Sequence, residues 1–400
     1  MTLSTPFRSA VLASAIGLCV AGAWSQPAAP ETEKSGEPVV IGERLSILSE
    51  ILKEPRPLLV AKPAGYESET ERYPVLYLLD GDAHFHHVTG IVSFLTESGR
   101  IPKLLVVAVP NTNRTRDLTP PSTAEIDLRF SPGGGGADAF LRFLGDELVP
   151  YLEKNYRTRP YRILAGHSFG GLFAIHAMIT RPKLFNAYIA IDPSLSWNNQ
   201  APVSQAEAFF ETTKELQSDL YVTATSEGGG IRKLAGVLEA KAPKGFRWKL
   251  ELMPEETHVS IPHRSIYQGL DTIFDAWHLA NPLELYDKGG IDAVHRHFRE
   301  GGKRLGYDRT TSAFTISMIV AGLMQAGRLE EAASVLLHDP KAYPPPWNQL
   351  DALARAYAKR GDTGQVVRYY TLSLKENPRN EWARKKLAEL GVEPATLPPQ

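Results

Sequence analysis

The chain has 400 residues, 43% hydrophobic and 22% charged, with 30 Pro and 32 Gly. This is the make-up of a globular protein of two or three domains, and it excludes a mainly disordered, collagen-like or multi-span membrane chain. Forty-four Lys+Arg against 45 Asp+Glu leave a formal net charge of −1, which supplies no general attraction for nucleic acid or an anionic membrane. The single cysteine, Cys19, excludes an internal disulfide, a cysteine zinc cluster and a redox dithiol.

Residues 1–25 read as a secretory signal peptide. Arg8 precedes an apolar, small-residue run over 11–20, and Ala21-Gly22-Ala23 and Ala23-Trp24-Ser25 each place small residues where a signal peptidase needs them. The run is shorter than the roughly 20 apolar residues of a spanning helix, so the expectation is a periplasmic or secreted protein with no stable membrane insertion after cleavage. Cleavage would remove Cys19, and cysteine catalysis with it. Residues 26–38, rich in Pro, Ala, Glu and Ser, read as a disordered tether.

From 39 to 283, β-rich runs alternate with helical patterns. Strands are expected at 57–61, 75–79, 104–109, 162–165, 187–191, 220–224 and 248–253, several of them continuously apolar as in a parallel sheet buried on both faces. Leu141, Leu144, Leu148 and Leu152 form a helical stripe after the Gly133–Gly136 loop. The fold class is therefore α/β: a mostly parallel sheet with helices on both faces. Over 284–395 only helical periodicity remains. Gly327 and Gly361 are 34 positions apart, each between two amphipathic stretches. That helix–turn–helix period suggests a small all-α, tetratricopeptide-like domain, shortened in its first unit by Asp339-Pro340 and capped by a helix over 381–390.

Gly166-His167-Ser168-Phe169-Gly170-Gly171 follows the run at 162–165 and opens a helix. This is the strand–turn–helix setting of a G-x-S-x-G nucleophile elbow, in which a strained turn lifts the serine hydroxyl above the sheet edge. A serine needs a base, and the base should follow in the chain. His258, in the loop after the last strand, is the first choice and His263 the second, while His176 lies inside the helix after the elbow. The orienting acid should come from a loop at a strand end. Glu227 after 220–224 is the first choice, Asp192 after 187–191 the competitor, and a plain Ser–His dyad the remaining alternative. Oxyanion donors are expected from the N–H of Phe169 and from the turn at Gly81 and Asp82. His84, His86 and His87 cluster in sequence but complete no known ligand set, so no metal and no cofactor is expected. Arg114, and beside it Arg116, could meet an anionic substrate, Trp197 could stack on an aromatic one, and His167 completes the expected substrate contacts.

These residues resemble the esterase branch of the α/β-hydrolases that includes ferric-enterochelin and bacillibactin esterases, feruloyl esterases and S-formylglutathione hydrolase. The matching pieces are Val75-Leu76-Tyr77-Leu78-Leu79-Asp80-Gly81, Asn111-Thr112-Asn113-Arg114-Thr115-Arg116-Asp117 with Thr119-Pro120, the elbow, and Asp192-Pro193-Ser194-Leu195-Ser196-Trp197-Asn198. The resemblance implies an α/β-hydrolase sandwich and triad roles for Ser168, Glu227 and His258. The last piece looks closest to the siderophore esterases. The expected function is an exported serine carboxylesterase acting on a small-molecule or oligosaccharide ester. The alternatives are a feruloyl or acetyl esterase, an acyltransferase, or a non-catalytic protein that binds a partner or itself through the helical domain.

Overall fold

The computed structural model describes residues 37–392. The leader expected over 1–25, and the tether up to residue 36, lie outside the described residues. Everything below belongs to one compact unit beginning at Ile41.

Eight strands form a single sheet: β1 (Glu43–Ser49), β2 (Glu54–Ala61), β3 (Tyr73–Leu79), β4 (Leu105–Val109), β5 (Thr158–His167), β6 (Ala187–Ile191), β7 (Asp219–Ala224) and β8 (Arg247–Leu252), in the order β1-β2-β4-β3-β5-β6-β7-β8. β1, β2 and β4 pair antiparallel, and every pairing from β4 to β8 is parallel. Each expected strand is present. β1 is an addition: its Leu45 and Ile47 alternate with polar residues on a largely exposed edge strand, a pattern that a search for continuous apolar runs passes over.

Between the strands lie α1 (Gly81–Glu97), α2 (Arg114–Leu118), α3 (Glu125–Phe130), then α4 (Ala137–Arg142), which runs through a π-turn at Phe143–Leu148 into α5 (Val149–Asn155), followed by α6 (Phe169–Thr180), α7 (Trp197–Thr212), α8 (Ile231–Lys241) and α9 (Ile261–Ile273). Because side chains alternate along a strand, β3 sends Val75, Tyr77 and Leu79 into a core shared with the helices from α4 to α8. Its Leu76 and Leu78 enter a second core, under α1 and α9. The stripe Leu141, Leu144, Leu148 and Leu152 is buried in the first core.

Six more helices follow: α10 (Pro282–Arg304), α11 (Ala313–Gln325), α12 (Leu329–Leu336), α13 (Trp347–Lys359), α14 (Thr363–Glu376) and α15 (Glu381–Glu389). They enclose a third core. Gly327 and Gly361 both have φ 75°, the left-handed conformation that ends α11 and α13 and turns the chain back. The fastening to the sheet is specific. Arg159 donates to the Gly306 carbonyl at 2.8 Å, the Arg309 guanidinium lies 3.6 Å above the Trp277 ring, and Arg304 reaches Asp219 at 3.4 Å. Arg159 and Asp219 are at the beginnings of β5 and β7, so the contacts they make lie at the end of the strands opposite the one that carries Ser168.

Candidate active site

The elbow is built by steric necessity. Ser168 sits between the end of β5 and the start of α6 with φ 60° and ψ −114°, a conformation that a side-chain-bearing residue holds only where its surroundings impose it. Three backbone bonds do so: Ser168 N–H to the Ile191 carbonyl at 2.9 Å, and Leu172 N–H and Ser194 N–H to the Ser168 carbonyl at 2.9 and 3.2 Å. A Cβ on Gly166 would come within 2.4 Å of the Gly170 backbone, and one on Gly171 within 2.9 Å of the Ile191 carbonyl oxygen, so the flanking glycines are required by close packing. The Ser168 hydroxyl lies 3.3 Å from that of Ser194. Among the described residues no hydrogen bond joins it to His258, a contact that often tightens only when substrate is present.

His258 occupies the turn between β8 and α9, which is tied by Thr257 N–H to Ser260 Oγ at 2.9 Å and by Ser260 Oγ–H to Glu256 at 2.6 Å. Its Nδ1 lies 2.7 Å from Asp192 Oδ2. A carboxylate only accepts, so Nδ1 carries a proton, and in the neutral imidazole that leaves the lone pair on Nε2. Asp192 follows β6 directly, with φ 39°. Its carboxylate also accepts from Thr225 N–H and Thr225 Oγ, each at 3.2 Å.

This corrects the expectation for the acid. Glu227 is on the exposed turn before α8, where Arg232 takes its Oε2 through two guanidinium nitrogens. The broad cleft of about 530 Å³ that it lines with Gln200, Gly229 and Lys233 includes neither Ser168 nor His258. Asp192 takes the place beside the imidazole. The left-handed turn at Asp192 aims its side chain toward the β7 and β8 loops, while Arg232, the second residue of α8, holds Glu227 outward.

The turn after β3 stands beside the elbow because β3 and β5 are sheet neighbours, Leu78 opposite Ala165. Asp80 is left-handed there (φ 53°) and begins α1 without a side-chain cap. A Cβ on Gly81 would lie 2.9 Å from the backbone of Val109 and Pro110, so only glycine fits. The first amides of α1, on Gly81 and Asp82, and the first amide of α6, on Phe169, have no intrahelical acceptor and carry the positive ends of their helix dipoles. These amides stand at the same sheet edge as Ser168.

The expected substrate contacts are placed differently. Arg114 grips Asp80 through Nε at 2.6 Å and Nη2 at 3.0 Å, and donates to the His167 carbonyl at 3.1 Å. Asn111 supplies a further donor to Asp80 at 2.7 Å. Arg116 is paired with Glu54 and Asp117. Both cations are thus spent on internal carboxylates rather than left for an anion. Trp197 is 4% exposed; its Nε1–H binds the Pro120 carbonyl at 2.9 Å and its ring meets Phe169 edge-on at 5.4 Å. It is a wall behind the elbow, not an open stacking platform. His167 turns its ring to His258, with centroids 4.5 Å apart, and to His84 at 5.9 Å. His84 and His87 share a hydrogen bond at 3.0 Å. Burial lowers all three of these imidazoles, His87 and His167 to about 4. His176 pairs with Asp138 at 2.8 Å, within the helical layer. Among the described residues no group of three or more His, Cys, Asp or Glu side chains is arranged to hold a metal ion. Ser194 and Thr225, which complete the polar surroundings, were not singled out in the sequence. The only signal for them is their closeness to the ends of β6 and β7.

A mostly parallel sheet with a serine on a strained strand-to-helix turn and an Asp–His pair on later loops defines an α/β-hydrolase arrangement. Comparison with known proteins narrows this. Residues 49–227 match the family described as "Putative esterase". The chain is 34% identical over 233 residues to the ferri-bacillibactin esterase BesA of Bacillus subtilis, covering 52% of this chain and 78% of that one. It is 34% identical over 179 residues to a siderophore triacetylfusarinine C esterase of Aspergillus fumigatus, spanning 59% of that protein. Among solved structures, an IroE-like serine hydrolase from Shewanella oneidensis superposes with a TM-score of 0.59 at 29% identity, over 74% of this chain and 97% of that one. The chain belongs to this esterase family.

Proposed function

We propose that the protein is an exported serine esterase that hydrolyses a siderophore ester through an acyl-enzyme on Ser168. The observation that carries the reading is the left-handed Ser168 at the end of β5, on the same sheet edge as a His258–Asp192 pair bonded at 2.7 Å. In this mechanism His258 Nε2 takes the Ser168 proton as Oγ attacks the ester carbonyl, and Asp192 stabilises the imidazolium that forms. The amides of Phe169 and of Gly81 or Asp82 receive the developing oxyanion. The imidazolium returns its proton to the leaving alkoxide. Water, deprotonated by the same base, then releases the acid and frees Ser168.

The siderophore assignment rests on the relatives, since two of those described are named as siderophore esterases. Export rests on the Arg8 and 11–20 pattern, which would put the enzyme where such ligands arrive. The 34-residue spacing of Gly327 and Gly361 supports reading the helical region as tetratricopeptide-like. Purified protein and Ser168→Ala, assayed on p-nitrophenyl acetate, apo- and ferric bacillibactin and a feruloylated oligosaccharide, test the reading. Ser168-dependent cleavage of the siderophore is the expected result. Cleavage of the feruloyl ester alone would replace the substrate class, and turnover unchanged in Ser168→Ala would remove the mechanism.

A further inference from the structure

The base of this site has little of its own to stand on. His258 is on a surface turn, its side chain is 52% exposed, and its one side-chain hydrogen bond among the described residues is to Asp192. A single bond at Nδ1 fixes one point of the ring and leaves the plane free to swing about that bond. The direction of the Nε2 lone pair toward Ser168 depends on the plane. Misalignment of this kind is costly where reacting atoms must be about 3 Å apart.

What limits the swing is another imidazole. The His167 ring lies against that of His258 with centroids 4.5 Å apart and planes inclined by 43°. His167 is the last residue of β5, in register with Ile191 of β6, and its carbonyl is held by Arg114. Behind its ring stands His84, edge-on at 5.9 Å, itself bonded to His87, whose ring lies 5.3 Å from that of His263. The base is thus flanked by a ring carried on the end of β5, whose backbone is held by β6 and by Arg114. We propose that His167 is a positioning residue for His258, a rigid wall that sets the plane of the base while Asp192 sets its tautomer.

The wall is also electrically suited to the task. His167 faces His84 and Asp80 on the β3 side, Arg114 on α2 and His258 on the β8–α9 turn. Its Nε2 is buried without a partner, and burial, reinforced by repulsion from His258, holds it neutral down to about pH 4. A neutral ring beside the base adds no opposing charge when His258 becomes imidazolium.

This inference rests on the reading of Ser168, His258 and Asp192 as the hydrolytic centre, and Ser168→Ala is the control that separates the two. If Ser168→Ala keeps full turnover, that reading fails. If Ser168→Ala is inactive, the His167 variants decide the present one. His167→Ala should lower kcat about tenfold or more with KM within about twofold, as expected when alignment rather than binding is lost. His167→Phe, which restores a flat neutral ring, should recover most of it. His167→Arg, placing a fixed charge beside the base, should move the acid limb of kcat/KM down by about one pH unit. The His258 Nδ1–H proton resonance should exchange faster in His167→Ala than in wild type or His167→Phe. Thermal unfolding of each variant shows that the comparison is between folded proteins. Wild-type kcat and pH profile in His167→Ala would overturn the proposal, and so would equal losses in the Ala and Phe variants.

Discussion

Replacing Asp192 by Asn changes one oxygen of a partly buried carboxylate to a donor and leaves shape almost intact. In the wild-type site that carboxylate accepts from His258 Nδ1 at 2.7 Å and from Thr225 twice at 3.2 Å. The Asn oxygen can satisfy Thr225, which leaves the amide NH₂ facing Nδ1. The imidazole then presents its lone pair at Nδ1 and its proton at Nε2, the wrong way round for accepting from Ser168. The imidazolium of the transition state also loses its counter-charge. Loss of a triad acid by this route costs about 10³ to 10⁴ in kcat, or about 4–5.5 kcal/mol at 1.36 kcal/mol per decade. Glu227→Gln is the matched control. Glu227 is about half exposed and paired with Arg232 on the surface, an arrangement worth roughly 0–1 kcal/mol of stability, and kcat should stay within about twofold of wild type. The assay is steady-state hydrolysis of p-nitrophenyl acetate by both variants at equal folded fraction by circular dichroism. A larger fall in Glu227→Gln than in Asp192→Asn would refute the assignment of the acid.

Gly81→Ala should be both destabilised by about 1–3 kcal/mol and slowed, because its Cβ meets the Val109–Pro110 backbone at 2.9 Å and the turn carrying the proposed oxyanion donors must shift. Urea unfolding and kcat check this, and a wild-type value for both would contradict it. Arg114→Lys should lose the two-pronged grip on the buried Asp80 and lower the urea midpoint by about 1–3 kcal/mol equivalent. If Arg114 instead served an anionic substrate, KM for that substrate would rise with stability unmoved. His87 and His167 are held near pKa 4, below the ordinary 6.5. The unfolded chain therefore binds more protons than the native one between those values, and stability should fall as pH drops from about 6.5 to about 4. Urea titrations at pH 7 and 4.5 measure the fall, and replacing both residues by Phe should flatten it; an unchanged slope would show that these two do not cause it.

The parts of the site that local sterics dictate were readable from the chain. Gly166 and Gly171 announce the elbow because backbone passes too close for side chains, and Gly81 announces the tight turn after β3 for the same reason. The place of His258 on the turn after the last strand was also readable. Which carboxylate bonds His258 was not, since β6 and β7 each lead to one within three residues. The choice between them depends on the backbone angle at Asp192 and on Arg232 holding Glu227, neither of which a motif states. Arg114 and Trp197 misled in a related way. A cation or an aromatic ring in a motif looks available until its distant partner is known, here Asp80 34 positions away and the Pro120 carbonyl 77 positions away. β1 was missed because its half-exposed alternation is weak beside the continuous apolar runs of the central strands.

The central claim, that Ser168 is a nucleophile activated by His258, is most directly tested by covalent capture. Full-length protein treated with a fluorophosphonate ester should gain the mass of one adduct, mapping to the peptide that contains Ser168. Labelling should vanish in Ser168→Ala and slow by about 10³-fold or more in His258→Ala. An adduct on another residue, or labelling at the wild-type rate without His258, would contradict it.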